Sequence, residues 1–325
     1  MRPSFLHKLL NGHFEDPCLF VRIPHEKRAI QFDIGDISAL SPSEMFKISD
    51  VFVTHTHIDH FIGFDSLLRM ILRRETPLNV YGPPKITACI EGKLKGYTWN
   101  LIKDYPTVIN AFAFDGRAVS HSSFRAKNRF KKEALSTSDS KGVLLRNPQF
   151  KVKAMKLDHG TPCLAYAIEE EFHINIDKDL LDKKGLTVGP WLTHFKRLFR
   201  ENPESGLIFI IEGKSYRIGD LSDIALVTKG QKITYATDIS MSTKNIAGLI
   251  ELAKDSDVFY CEAYFLERDR ERAIERFHLT AKTAGSIAKQ AGVKKLVLTH
   301  FSPKYTECPD LVTNEAMEEF KGSKE

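Results

Sequence analysis

The chain has 325 residues, 42% hydrophobic and 27% charged, with a formal net charge of +5. This is ordinary globular composition, long enough to bury a substantial core without staples and to form one large or two small domains. The longest apolar run, "LIFII" at 207–211, is far too short to cross a membrane, and the five scattered cysteines form no C-x-x-C pair, which excludes a disulfide framework or thiolate zinc knuckle.

In chain order, the N-terminal "MRPSFLHKLLNGHFEDP" has neither the apolar core nor the cleavage site of a signal peptide, so a cytoplasmic protein is expected. Strands are predicted for "RAIQFDIG" (28–35) and "DVFVT" (50–54). "FDSLLRMILRRE" (64–75) has helical apolar spacing, with Asp65 as its candidate cap. Between Arg125 and Lys156 lie ten Lys or Arg and only two acids, Glu133 and Asp139. With its "RAKNRFKK" and "STSDSKG" segments, this stretch reads as a mobile loop, either simply solvated or in contact with nucleic acid. "FKVKAMKLD" (150–158) alternates with period two, and "GLIFIIEG" (206–213) followed by "KSYRIG" predicts a hairpin. "KITYATD" (232–238), "DVFYCEA" (257–263) and "KKLVLTH" (294–300) complete the strands. "TKNIAGLIELAKD" (243–255) and "LTAKTAGSIAKQAG" (279–292) read as helices between them. Interleaved strands and helices with added hairpins make the fold α/β or α+β, its sheets covered by helices.

Four of these strands end alike. "DVFVT" runs into His55, His57, Asp59 and His60; "KVKAMKLD" into His159; "KITYAT" into Asp238; "KKLVLT" into His300. Strand ends converge at one sheet edge, where α/β folds build their sites. Imidazole nitrogens and carboxylate oxygens suit a zinc-type ion. Six or seven such groups exceed one tetrahedral site but suit two ions sharing a carboxylate, an arrangement that clamps attacking and leaving oxygens in hydrolysis. His55 and His57, two apart in extended backbone, face the same way; the chain then turns, and Asp59 and His60 can face a second ion. Taken alone, His159 also reads as a turn histidine and Asp238 as a cap before "ISMSTKN".

The H-x-H-x-D-H motif with its later His, Asp and His resembles the metallo-β-lactamase superfamily. "HLTAKTAGSIAKQAGVKKLVLTHFSPKY" (278–305), "CEAYF" (261–265), "FDIG" (32–35) and "VGPWLTHFK" (188–196) resemble the ribonuclease Z family within it. That resemblance implies an αβ/βα four-layer sandwich, two mixed sheets flanked by helices, over a single domain 1–325. A short substrate-gripping arm at 170–205 would be inserted within it. It also implies two zinc ions, with manganese or iron as alternatives. His55, His57 and His159 would hold one ion; Asp59, His60 and His300 the other; Asp238 would bridge. A metal-activated hydroxide would attack a phosphodiester, with Asp59 orienting or deprotonating the water. His278, positioned by Glu262, would protonate the departing 3′-oxygen; without that role it reads as a helix-start histidine. Gly189 and Pro190 would grip RNA or simply form a turn, and Ser302 and Lys304 would contact substrate. A homodimer is implied as well. The chain departs from the family at "SFLHKLLNGHFED", where a Gly-rich turn is usual, and at "DISALSP", where a Glu-Gly-x-Gln run is usual.

The expected activity is zinc-dependent cleavage of RNA, a tRNA precursor 3′ end. The alternatives are a hydrolase of a small phosphodiester or other ester, and a non-catalytic RNA-binding protein on the same scaffold.

Overall fold

In the computed structural model, which describes residues 4–24, 26, 28–202, 206–211 and 213–322, Val-, Ile- and Phe-rich stretches build two large sheets. The first runs in chain order: β1 (Leu6–Leu9), β2 (Leu19–Arg22), β3 (Ala29–Phe32), β4 (Ile48–Phe52), β5 (Leu78–Gly82), β6 (Val108–Phe114), β7 (Ala118–Arg125) and β8 (Lys132–Asp139). It is mixed: β1 to β3 are antiparallel, β3 to β6 parallel, and β6 to β8 antiparallel. Next come β9 (Val143–Arg146), β10 (Phe150–Asp158) and β11 (Pro162–Glu170). Four short strands follow, β12 (Phe172–Ile176), β13 (Ile208–Ile211), β14 (Lys214–Arg217) and β15 (Ala225–Lys229). The chain then forms β16 (Lys232–Ala236), β17 (Val258–Glu262) and β18 (Leu296–Thr299). The second sheet has the order β18-β17-β16-β11-β10-β9, with β16, β17 and β18 parallel.

The chain divides into two compact units. The larger comprises Phe5–Leu144, Val152–Ile168 and Lys232–Glu325. In it, each sheet has a helical outer layer. Helix Phe64–Ile71 buries Phe64, Leu67, Leu68 and Ile71, one face at helical spacing, against Val51, Val53 and Ile109 of the first sheet. Helices Thr243–Ala253, Ala281–Gln290 and Pro309–Lys321 cover the second sheet through Leu249, Ala284, Ile287 and Val312. The inner faces meet through aromatic rings: Phe32 lies 5.9 Å from Tyr235, and Phe52 lies 5.4 Å from Tyr166. Tyr166 also donates a 2.6 Å hydrogen bond to the Val53 carbonyl. Helix, sheet, sheet, helix is the four-layer arrangement expected. Every residue of β17 is buried, as an apolar strand covered on both faces should be. Each Leu or Phe fully buried in these layers contributes roughly 1.5–3 kcal/mol.

The smaller unit comprises Met1–Ser4, Leu145–Lys151 and Glu169–Gln231, and the arm expected at 170–205 falls within its span. It has its own core of Ile174, Leu181, Leu186, Phe195, Phe199, Ile211, Ile218, Leu221 and Ile224. Strands β12 and β15 pair antiparallel, and β13 and β14 form the predicted hairpin. Helix Lys178–Lys183 is capped by Asp177, and helix Trp191–Glu201 follows Gly189 and Pro190. Glu170 is tied by Arg200 at 2.7 Å and by the Ser4 hydroxyl at 2.7 Å.

Two expectations are corrected. The basic stretch 125–156 is not a mobile loop: it holds a turn at Ala126–Asn128, then β8, β9 and most of β10. β8 is an edge strand whose side chains are nearly all exposed, so ladder hydrogen bonds to β7, not a buried face, define it. Nor does Asp65 cap its helix. The cap position is Gly63, and Asp65 instead accepts a 2.7 Å ion pair from Lys93.

Candidate metal centre

β4 ends at Phe52, and the chain bends at Thr54 on its way to His57, whose own backbone is extended. His57 then starts a one-turn helix, Ile58–Phe61, which carries Asp59 and His60. The change from extended to helical backbone splits the motif: His55 and His57 lie before the turn, Asp59 and His60 within it. His159 follows β10, Asp238 follows β16 and His300 follows β18.

All seven residues converge. His55, His57 and His159 each bring a ring nitrogen within 4.8 Å of the other two; so do the ligand atoms of Asp59, His60 and His300, and those of His55, His60 and Asp238. Asp238 is central: one oxygen lies 2.7 Å from His60 Nε2, the other 3.5 Å from His159 Nε2 and 3.6 Å from His300 Nδ1. Among the described residues, three buried ring nitrogens here, His55 Nε2, His60 Nε2 and His300 Nδ1, have no hydrogen-bond partner. The His60 contact to Asp238 therefore has ion-pair distance without hydrogen-bond geometry. Buried polar atoms are rarely left so, and three aimed at two carboxylates fit a divalent cation.

The other ring nitrogens are held from behind. His60 Nδ1 donates to Asp33 at 2.9 Å, and His159 Nδ1 donates to the Phe277 carbonyl at 2.7 Å. Such bonds fix the tautomer that leaves Nε2 for a metal. Asp33 also accepts from the Thr54 N–H at 2.7 Å and the Tyr235 hydroxyl at 3.0 Å. Asn245, 2% exposed, donates to the carbonyls of Asp158 at 2.8 Å and Ser240 at 3.0 Å, clasping the segments that carry His159 and Asp238.

The electrostatics are those of a cation site. Burial, with the His60 charge second, drives the His55 pKa down to about 2. For His300, burial opposes the cation, but Asp238, Asp59 and Glu262 outweigh it and raise the pKa to about 10. Burial opposes ionisation of Asp238 as well, yet the flanking His300 and His60 hold its pKa well below the usual carboxylate range.

Beside this cluster is a cleft of about 730 Å³ lined by His57, Asp59, Tyr264, His278, His300, Ser302 and Lys304 among others. His278 Nδ1 donates to Glu262 Oε2 at 2.8 Å, and its ring stacks on Tyr264 with centroids 3.8 Å apart. The other oxygen of Glu262 accepts the Ile239 N–H at 2.7 Å and the Leu279 N–H at 3.3 Å, so both oxygens are engaged. Ser302 caps the turn Pro303–Tyr305, and Lys304 is paired with Asp269 at 2.6 Å. Gly189 and Pro190 belong to the smaller unit, where they lead into helix Trp191–Glu201.

Sequence reasoning missed Asp33, Asn245 and Tyr264. A buried aspartate in "FDIG" and an asparagine inside an amphipathic helix were the available signals. Asp33, Asp238 and His300, each just past a strand, have φ of 49, 57 and 56°. This left-handed backbone costs on the order of 1–3 kcal/mol per residue and turns each side chain off its strand into the site. The "FDIG" turn also presses on the end of the histidine motif. A Cβ on Gly63 would sit 2.1 Å from the Gly35 carbonyl oxygen, and one on Gly35 would sit 2.3 Å from that of Asp59.

No family model matches the chain. A Deinococcus radiodurans protein named Ribonuclease Z is 28% identical over 257 residues, 78% of this chain and 76% of that one. A Bacillus thuringiensis (strain Al Hakam) protein of the same name is 32% identical over 262 residues, 80% of this chain and 72% of that one. Among solved structures, the short form of human tRNase Z superposes with a TM-score of 0.55 at 18% identity, covering 92% of this chain and 93% of that one. The metallo-β-lactamase fold protein YhfI of Bacillus subtilis gives a TM-score of 0.55 at 17% identity, covering 97% and 93%. Both structural likenesses are of fold.

Proposed function

The chain belongs to the ribonuclease Z family, and from that membership we propose that it is a zinc-dependent endoribonuclease cleaving the 3′ end of tRNA precursors. The observation that carries the reading is the convergence of partnerless buried imidazole nitrogens on two carboxylates, beside a histidine already paired to a glutamate.

His55, His57 and His159 would hold one ion and Asp59, His60 and His300 a second, with Asp238 shared; manganese or iron could replace zinc. Bound there, the ions would supply Lewis-acid polarisation of the phosphodiester and acidify water. Asp59, half-buried at the cleft, would orient the attacking water and take up its proton. Glu262 accepts a hydrogen bond from His278 Nδ1 and fixes the ring's tautomer and orientation. That leaves Nε2 as the donor: as the phosphorus–O3′ bond breaks, its proton passes to the departing 3′-oxygen. Stacking on Tyr264 limits the ring's orientation to that task. Gly189 and Pro190 would serve the RNA-gripping arm, and Ser302 and Lys304 the substrate end of the cleft. A homodimer and a cytoplasmic location belong to the same proposal; among the described residues, no helix is long and apolar enough to cross a membrane.

Zinc-loaded protein should cleave both a 3′-extended tRNA precursor and bis(p-nitrophenyl) phosphate. Cleavage of the small diester alone would favour a small-substrate hydrolase. Cleavage of neither would favour a binding protein.

A further inference from the structure

The cleft beside the candidate metal centre holds three cationic side chains, Arg272, Arg276 and Lys304. Lys304, the one that the sequence motif singles out, is already neutralised. Its Nζ lies 2.6 Å from Asp269, whose other oxygen accepts from the Tyr305 hydroxyl. The two arginines differ. Both are exposed, and among the described residues neither guanidinium forms an ion pair, with Glu271 and Glu275 of the same helix included.

Their backbone is fixed. Arg272 lies in helix Arg270–Glu275 and Arg276 closes it, so the two are four apart on one face. The helix ends with Phe277 in left-handed conformation, φ 59°, and His278 N donates back to the Ala273 carbonyl at 2.9 Å. Glycine usually occupies such a position; a phenylalanine there is strained. The reversal brings Arg276 and His278, two residues apart, to the same cleft. It also delivers the Phe277 carbonyl to His159 Nδ1 at 2.7 Å, joining the helix end to the ligand set. The Arg272 guanidinium lies 5.7 Å from the Phe265 ring, which limits its range of motion.

Unpaired guanidiniums on a braced helix end, beside a donor for a leaving oxygen, suit phosphate oxygens, which they can bind in bidentate fashion. A small diester has one phosphate, which the centre itself would engage. We propose that Arg272 and Arg276 form a clamp for the RNA phosphates that flank the scissile one, and so set the preference for a polynucleotide over a small diester. The inference rests on the phosphodiesterase reading above.

The test compares wild type with the Arg272→Ala/Arg276→Ala double variant, the corresponding double lysine variant and Lys304→Ala, all zinc-loaded. Affinity for a fluorescent 3′-extended tRNA precursor is read by anisotropy across a salt series. Kinetic constants are read for that RNA and for bis(p-nitrophenyl) phosphate. The double alanine variant should bind RNA roughly tenfold more weakly for each guanidinium lost. Its log-affinity against log-salt slope should flatten by about 0.7–0.9 per lost contact. KM for RNA should rise while both constants for the small diester stay unchanged. The lysine variant should keep the slope but regain only part of the affinity, and Lys304→Ala should move the slope by less than half as much as the double alanine variant. Unchanged RNA affinity and slope would overturn the clamp. So would a parallel fall in diester turnover and metal content, which would mark the arginines as structural. If wild type cleaves neither substrate, the phosphodiesterase reading falls, while the affinity comparison still decides whether the arginines bind RNA.

Discussion

The two units of this chain handle polar groups in opposite ways. In the larger, buried imidazoles and carboxylates are gathered at strand ends, and among the described residues three ring nitrogens of that cluster are left without a hydrogen bond. In the smaller, the buried ion pair of Glu170 with Arg200 is closed on itself, and the core is otherwise apolar. Both units leave apolar side chains exposed, Ile58 and Leu101 in the larger and Val188 and Ile210 in the smaller, so exposed apolar surface does not separate them. Unsatisfied buried nitrogens gathered beside carboxylates are a cost that a bound cation would offset, which is what the proposed chemistry of the larger unit needs. The smaller unit holds its own shape through an apolar core.

The sharpest way to break this contrast is Asp238→Ala. Since Asp238 faces His60, His159 and His300 at once, its loss should remove both ions and reduce turnover of either substrate to background. Elemental analysis checks the first point, and one tightly held ion surviving the change would sink the shared-carboxylate assignment. Next in size is His278→Ala. Both metals should stay and RNA turnover should fall roughly 10²–10⁴-fold. The loss should be smaller for p-nitrophenyl esters, whose leaving group needs little protonation. Equal losses on both substrates would remove the proton-donor role.

The third test is placed in the other unit. Phe195 is fully buried in its core, and Phe195→Ala should destabilise that unit by about 3–5 kcal/mol. Hydrogen exchange should quicken in β12 and β15 while β17 stays protected, and metal content and small-diester turnover should not change. Loss of metal in that variant would show the two units to be one energetic whole. The smallest expected effect is that of Asp33→Asn. The carboxylate behind His60 would become an amide, and metal affinity should fall about 10–100-fold, measured by chelator competition.

The chemistry was legible in the sequence because most of it is local. Four candidate ligands fall within six residues, and the other three follow apolar strands that announce their own ends. Glu262 and His278 were found through a motif, and their 2.8 Å contact agrees with the pairing that it implied. What escaped was long-range or unpatterned. Asp33 acts on His60 through a contact 27 residues away in the chain, and its own turn carries no ligand signature. β8 went unseen because a strand exposed on both faces has no alternation to detect. Asp65 reads as a cap in the sequence because Gly63, the actual cap residue, offers no side chain to signal the start of the helix. Arg272 and Arg276 read as part of an ordinary charged helix until the left-handed Phe277 turned one end of it toward the cleft.

The Gly35 and Gly63 contact bears on how this protein can diverge. Neither residue has a side chain to offer, yet each meets backbone atoms at a distance that no Cβ tolerates. In a saturation mutagenesis library scored for function, both positions should be as intolerant as the histidines. A map of intolerance alone would then place two residues with no chemistry among the active-site residues. Adding metal in excess would separate the classes, since supplementation can rescue a weakened ligand but cannot make room for a methyl group between two backbones.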